Sequence, residues 1–263
     1  PGYSSTWLIE TALEFNKKCK SIEQLLATQP WSFAQAMISA AAEELKQLVA
    51  MGVFTFNGTT VRDAWAMGTS PLQVSEVATL KVSPDGVFEK CKWRVTINGS
   101  GEKAGVHYQG SSHHPAPSTS TTRYFMAGEA NMPKGERCCQ VDVSSAYNVP
   151  DVGCDGKGQP MRIFVRQMSW CHAVTVKKSP SGVYSAEIDW QWFEAYRERL
   201  LKKQKSGKKI IPEIYQRYLN PDEVLIDLTG NTYGRVAGGR VWMDYFCSLI
   251  HAAPLHFDRC SAE

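Results

Sequence analysis

Asp142 has the most to offer chemically. It lies in the segment Gln140-Val141-Asp142-Val143-Ser144-Ser145-Ala146-Tyr147, where an apolar-flanked strand delivers one carboxylate and an aromatic follows five residues later. A hard divalent cation such as Mg²⁺ or Mn²⁺ takes oxygen ligands and keeps substrate phosphates in its shell. The Asp142 carboxylate with the Val143 backbone carbonyl can therefore begin a metal site, but one carboxylate cannot complete it. Lys92 and Arg94 are the second candidates. Alternate positions of a strand put both side chains on one face, and a guanidinium binds phosphate oxygens as a fork. His107, His113 and His114 with Cys138 and Cys139 offer zinc-ligand types without the paired spacings that let four ligands converge. Cys171-His172 joins a nucleophile to a base, yet neighbours on a strand point apart.

Several elements must position these groups. Trp31, Ala34, Ile38, Ala41, Leu45 and Leu48 recur at three- and four-residue intervals, so a helix is expected over Thr28 to Val53 with Gly52 ending it. A weaker helical pattern covers Trp7 to Leu26. Alternation around Pro84-Asp85-Gly86 predicts a β-hairpin from Ala78 to Ile97 that carries Lys92 and Arg94 on its second limb. Gly99 to Ser120 reads as a loop, Thr121 to Ala130 as a short helix and Arg137 to Val143 as a strand. Asp189 to Gln204 is expected to be a helix with Trp190, Phe193, Tyr196 and Leu200 on its packing side; Trp190, Trp192, Phe193 and Tyr196 read as packing residues more readily than as base-stacking platforms. Lys202 to Lys209 reads as a polar tail or loop. No internal repeat is evident.

Composition narrows the classes. The chain has 263 residues, 43% hydrophobic and 21% charged, with a formal net charge of +3, which excludes an intrinsically disordered, collagenous or coiled-coil protein. Apolar runs such as Met37 to Ala42 fall far short of the roughly 20 residues that span a bilayer, so no membrane partner is expected. The basic charge is concentrated: Arg162 to Arg217 holds twelve Lys or Arg against five acids, a segment charge of +7. Lys202, Lys203, Lys205, Lys208 and Lys209 within it are candidates for nucleic-acid backbone contact, against the plainer reading of a solubilising tail. The eight cysteines are scattered or, at Cys138 and Cys139, adjacent, which points to a reducing compartment, cytoplasm or nucleus. No secretory signal is visible in Pro1 to Thr11, and the chain is expected to be a piece of something longer.

The order of motifs resembles the reverse transcriptase domain of copia-type retrotransposons from Trp31 to about Ile250. The matching parts are Trp31-x4-Ala36 through Glu44-Leu45 and Gly52-Val53-Phe54, then Asp85-Gly86 with Lys92-Trp93-Arg94. Gly105-x-His107-Tyr108, Pro115-Ala116-Pro117 and Arg123 follow. Gln140-x-Asp142-Val143-x-x-Ala146-Tyr147 comes next, and Tyr233-Gly234 with Arg240-Val241-Trp242 completes the series.

That resemblance implies an α+β right-hand polymerase, with antiparallel sheet packed on helices. It implies a helical extension at 1–30, fingers at 31–140 and a partial palm at 141–263 with a basic insertion at about 169–221. The implied chemistry is two-metal nucleotidyl transfer using Mg²⁺ or Mn²⁺, with RNA or DNA primer-template and deoxynucleotides as partners and the rest of a polyprotein attached. Asp142 matches the first metal carboxylate, Tyr147 the ring that excludes a 2′-hydroxyl, and Lys92 and Arg94 the residues that reach the incoming triphosphate. The sequence departs from the family in having no Asp-Asp pair, and it carries Val236 and Ala237 where the family has lysine and glutamine. Asp142 and Tyr233 are also 91 residues apart, about twice the expected distance. The expectation is therefore a polymerase fragment that is inactive alone, the alternative being a non-catalytic nucleic-acid-binding or assembly protein of the same descent.

Overall fold

Ser21 opens the first helix of the computed structural model, which describes residues 14–15, 19, 21–83, 85–110, 148, 151, 161–206 and 220–252. Its hydroxyl accepts the Gln24 amide at 3.3 Å, capping α1 (Ile22–Thr28) in the manner expected of an N-cap serine. The second helix, α2 (Trp31–Ala50), follows Pro30 and buries Ala34, Met37, Ile38, Ala41, Leu45 and Leu48 along one stripe. Past its end, Gly52 takes a φ of 70°, which costs glycine nothing. The helix expected from the apolar period is thus present, shorter by three residues at each end.

Among the described residues the remaining α-helices and strands are β1 (Phe54–Thr55), α3 (Val61–Ala66), β2 (Val74–Val82), β3 (Phe88–Ile97), β4 (Ile163–Arg166), β5 (Val174–Lys178), β6 (Tyr184–Ile188), α4 (Trp190–Lys205), β7 (Leu225–Leu228) and α5 (Gly238–Ala252). The structure is mixed α+β, with small antiparallel sheets and helices. Strands β1, β7 and β4 form one sheet in that order, β7 being central. All four residues of β4 and of β7 are buried, as in a strand covered on both faces. Ile163, Val165, Ile226 and Leu228 join the main core, while Phe164 and Leu225 pack with Val61 and Ala64 of α3 in a satellite cluster.

Two two-stranded ribbons, β2–β3 and β5–β6, both pack on α2. One core cluster runs without a break from Ile22 through α2 and both ribbons to Leu200 of α4. The segments read as an N-terminal extension and a basic insertion therefore fold against each other. Arg197 of α4 donates to the carbonyls of Leu26 and Gln29 at 3.1 and 2.9 Å, satisfying the open C-terminus of α1, and its guanidinium lies over the Trp31 ring.

The structure also reveals a repeat that the sequence reading missed. Residues 79–88 read TLKVSPDGVF and residues 175–184 read TVKKSPSGVY, identical at six of ten positions. Both turns close in the same way. The Ser83 and Ser179 amides donate to the carbonyls of Val87 and Val183 at 2.8 Å, and the two serine hydroxyls each accept the same valine's amide at 3.1 Å. Gly86 and Gly182 supply the positive φ, 77° and 85°. The ribbons differ beyond the turn. In β5–β6 the register is unbroken, whereas in β2–β3 it shifts between Lys81 and Val82, so that Val82 opposes Phe88, Lys81 opposes Lys90, and Glu89 is the extra residue of a β-bulge.

The helix expected over Asp189 to Gln204 is present and runs one residue further, so of the stretch also read as a polar tail or loop, Lys202, Lys203 and Lys205 are helical. They belong to α4, capped by the Asp189 carboxylate on the Trp192 amide at 3.0 Å and running to Lys205. Lysine and glutamine are good helix formers, and cations are favoured in a last turn, so nothing breaks the helix before Ser206. Trp190 and Trp192 are half-buried and Phe193 and Tyr196 buried, which agrees with the packing role read for them. The expected helix at Thr121 to Ala130 and strand at Arg137 to Val143 lie outside the described residues.

Candidate functional site

The outer face of the β2–β3 ribbon collects the cations. Alternation buries Ala78, Trp93, Val95 and Ile97 against the core and turns the intervening residues outward. The outward rows pair Lys81 with Lys90, Thr79 with Lys92, Val77 with Arg94 and Ser75 with Thr96. Four cations and no acid occupy this face. Direct opposition of Lys81 and Lys90 is unfavourable by itself, since like charges across a ladder repel. The Lys92 ammonium is held below its ordinary range, first by partial burial and then by repulsion from Arg94 and Lys81, with Glu44 opposing the shift. A bound anion would relieve that crowding.

The bulge creates this composition. A one-residue slip exchanges the two faces of a strand, so the extra residue Glu89 sets Lys90, Lys92 and Arg94 on the side of Lys81 rather than opposite to it. The second ribbon has no bulge, and its outward row pairs Thr175 with Glu187 next to Lys177. There the Lys177 ammonium is paired to Glu187 at 2.6 Å, leaving no comparable cationic face.

Tyr233 and Gly234 reach the same ribbon from a distant part of the chain. The Arg94 guanidinium lies over the Tyr233 ring, 5.4 Å from its centroid, and the Ile97 amide donates to the Tyr233 carbonyl at 2.9 Å. Gly234, at φ 85°, is pressed so closely on β3 that a Cβ there would overlap the Ile97 carbonyl oxygen, and a Cβ on Gly99 would overlap the Gly234 carbonyl oxygen. On the other flank, Glu44 of α2 accepts the Val95 amide at 3.4 Å. Burial raises the Glu44 carboxyl above its ordinary value, and the Val95 amide, Lys92 and Arg94 each pull it back.

A buried polar network holds the turn that carries Tyr233. The Arg235 guanidinium donates to the His107 carbonyl at 2.8 Å and faces the Glu102 carboxylate at 3.5 Å, both side chains being fully covered. Glu102 also accepts the Val236 amide at 3.2 Å. His107 accepts the Lys103 amide on Nδ1 at 2.9 Å, which places its proton on Nε2, 3.2 Å from the Ser70 carbonyl. Burial keeps its pKa below the ordinary histidine value, so His107 is a neutral structural residue here. Of the next two residues in this turn, Val236 is exposed and Ala237 is buried.

Of the residues singled out by sequence, the structure brings Lys92 and Arg94 onto one face and adds Tyr233. It adds Lys81, Lys90 and Glu44, none of which the sequence reading named as site residues. Lys202, Lys203 and Lys205 are exposed, but on α4. Asp142, Val143, Tyr147, Lys208 and Lys209 lie outside the described residues, as do His113, His114, Cys138 and Cys139. Among the described residues no three His, Cys, Asp or Glu side chains are grouped to hold a metal ion, and no helix is long and apolar enough to cross a membrane. Cys171 is buried and its thiol pushed up to about 12, by burial first and by Glu76 second, while the His172 ring meets Trp192 edge-on at 4.7 Å. No thiolate nucleophile is available there at neutral pH. No family model, no curated protein and no solved structure matches this chain.

Proposed function

We propose that the chain is a fragment of an RNA-directed DNA polymerase of the copia retrotransposon type, and that the outer face of the β2–β3 ribbon binds the phosphates of nucleotides and nucleic-acid strands. One observation carries this reading: Lys92-x-Arg94, which bears the candidate phosphate ligands, meets Tyr233-Gly234, a second of the resembling motifs, through the Arg94 guanidinium over the Tyr233 ring. A ring beneath the guanidinium steadies its plane and leaves its edge N–H groups for phosphate oxygens. Lys81, Lys90 and Lys92 add point charges along one ribbon face, matching an extended polyanion. Asp142 with the Val143 carbonyl begins the Mg²⁺ or Mn²⁺ site in this reading, and Tyr147 discriminates the sugar. With no Asp-Asp pair in the sequence, the chain alone is expected to bind without transferring nucleotides.

The test is a titration of labelled primer-template at two salt concentrations, using three proteins: the wild type, Lys81, Lys90, Lys92 and Arg94 together→Gln, and Lys202, Lys203, Lys205, Lys208 and Lys209 together→Gln. The ribbon variant should lose at least tenfold in affinity and show a flatter salt slope, because each phosphate contact removed releases fewer counterions. The five-lysine variant reports whether the basic end of α4 adds to binding or only solubilises. Wild-type affinity and slope in the ribbon variant would overturn the reading.

The non-catalytic alternative uses the same face, and the missing Asp-Asp pair favours it. Primer extension by a longer chain that includes downstream coding sequence separates the two readings. Activity there that disappears in Asp142→Asn supports the enzyme.

A further inference from the structure

Glu44 is a carboxylate built into the rim of a cationic face. Its helix, α2, packs against β3, and its Oε1 accepts the edge amide of Val95, the residue next to Arg94 and one step beyond it along the strand that bears Lys92. Lys92 and Arg94 both act on it electrostatically, each favouring its ionised form. The neighbouring charges do not cancel it: Glu43 on its own helix is paired with Lys46 at 2.6 Å, and Lys81 and Lys90 stand farther along the ribbon.

Resting on the reading of the ribbon as a phosphate-binding face, we infer that Glu44 is a positioning residue and the resident counter-ion of that face, the charge that an arriving phosphate must outcompete. Two consequences follow. Binding is weaker than four cations alone would give, because the carboxylate already neutralises part of the field at Lys92 and Arg94. Binding also weakens as pH rises through the titration of Glu44. A bound phosphate disfavours the ionised carboxylate next to it, so the complex holds the Glu44 proton to higher pH than the free protein does. Burial has already raised that carboxyl in the free protein, which moves the window upward from the usual carboxylate range.

The experiment measures binding of a cyanine-labelled oligodeoxynucleotide, whose dye does not titrate in this range, at low salt, at pH 5 and pH 8. Phosphodiester groups do not titrate between these limits, so the probe contributes no pH dependence. Four proteins are compared: wild type, Glu44→Gln, Glu44→Ala, and Lys92→Ala with Arg94→Ala. Glu44→Gln keeps an oxygen to accept the Val95 amide and removes only the charge. It is expected to bind roughly three- to tenfold more tightly than wild type at pH 8, the scale of one partly screened charge near the site, with a smaller gap at pH 5. Glu44→Ala also loses the Val95 acceptor, and circular dichroism reports whether its fold is intact. Affinity of Glu44→Gln equal to or below wild type at pH 8, or a gap unchanged at pH 5, overturns the counter-ion role. If wild-type affinity survives Lys92→Ala with Arg94→Ala, the phosphate-face reading fails and Glu44 loses its role with it. If that double variant loses binding while Glu44→Gln matches wild type, only the inference about Glu44 fails.

Discussion

Replacing Glu76 by Gln should make the protein more stable at alkaline pH and leave it nearly unchanged at acid pH. Glu76 lies on the core side of β2, where its Oε1 accepts the Trp170 indole N–H at 2.5 Å. Near it, the Glu23 Oε1 accepts the Ser169 hydroxyl at 2.6 Å and the Tyr196 hydroxyl at 3.3 Å. Removal from water raises the Glu76 carboxyl from 4.5 to about 8; the indole bond opposes the rise and the Glu23 carboxylate adds to it. The folded state therefore holds a proton that the unfolded chain releases. Its contribution is full below about 4.5 and is lost as pH rises through about 8.

At about 1.4 kcal/mol per pH unit, the interval from 4.5 to 8 bounds the change at about 5 kcal/mol. Glu76 is partly accessible at the strand, and relaxation around an ionised carboxylate lessens the penalty, so roughly 2–3 kcal/mol is expected. Glutamine keeps an acceptor for Trp170 and carries no charge at any pH. Urea unfolding followed by tryptophan fluorescence, at pH 5, 6, 7 and 8.5, gives the stability difference between variant and wild type at each pH. Other carboxylates and histidines titrate in both proteins and cancel in the difference, apart from Glu23, whose coupling to Glu76 is part of the effect measured. A difference that stays constant within about 0.5 kcal/mol across the series would refute the buried, protonated assignment.

Gly234→Ala should destabilise the fold by at least about 2 kcal/mol, because its φ of 85° disfavours a Cβ that would also overlap the Ile97 carbonyl; urea midpoints measure the loss, and oligonucleotide affinity should fall with it as Tyr233 leaves the underside of Arg94. Arg166 grips Glu223 with two hydrogen bonds of 3.1 and 3.0 Å in a setting where both side chains are nine-tenths or more covered, so Arg166→Met should cost about 3–5 kcal/mol by stranding the carboxylate. Adding Glu223→Leu to that variant should recover part of the loss in the same unfolding assay.

Periodicity made α2, the first ribbon and α4 legible because each has one packed stripe or face that repeats at the period of its element. The apolar alternation of Trp93, Val95 and Ile97 likewise placed Lys92 and Arg94 together. What could not be read is how β2 aligns with β3. Glu89 is an ordinary strand residue in type, and nothing local marks it as the extra one, so Lys81 and Lys90 were not seen to join the face. Tyr233 contacts Arg94 across 139 positions of chain, a pairing that no window of sequence contains. Glu44 was read as part of a helix motif, and its edge contact with Val95 depends on how α2 meets the ribbon. The basic segment misled in another way: lysine reads as solvated tail by charge and as helix by propensity, and the packing of Phe193, Tyr196 and Leu200 favours the helix.

The two ribbons show why position on a strand, rather than local composition, decides the chemistry. Each follows a T-x-K segment into a serine-glycine turn, and each sends its first lysine, Lys81 or Lys177, outward. In the unbroken ribbon the next outward residues of the returning strand are Ser185 and Glu187, and Glu187 neutralises Lys177. In the bulged ribbon they are Lys90, Lys92 and Arg94, while the acid Glu89 drops out of the pairing. An unbulged β3 would turn Cys91, Trp93 and Val95 to solvent and bury three cations. That arrangement would cost several kcal/mol for each unpaired charge, so the apolar limb and the bulge select one another. Hydrophobic burial of Trp93 and Val95 thus fixes the register, and the register gathers the charge that the proposed phosphate site requires.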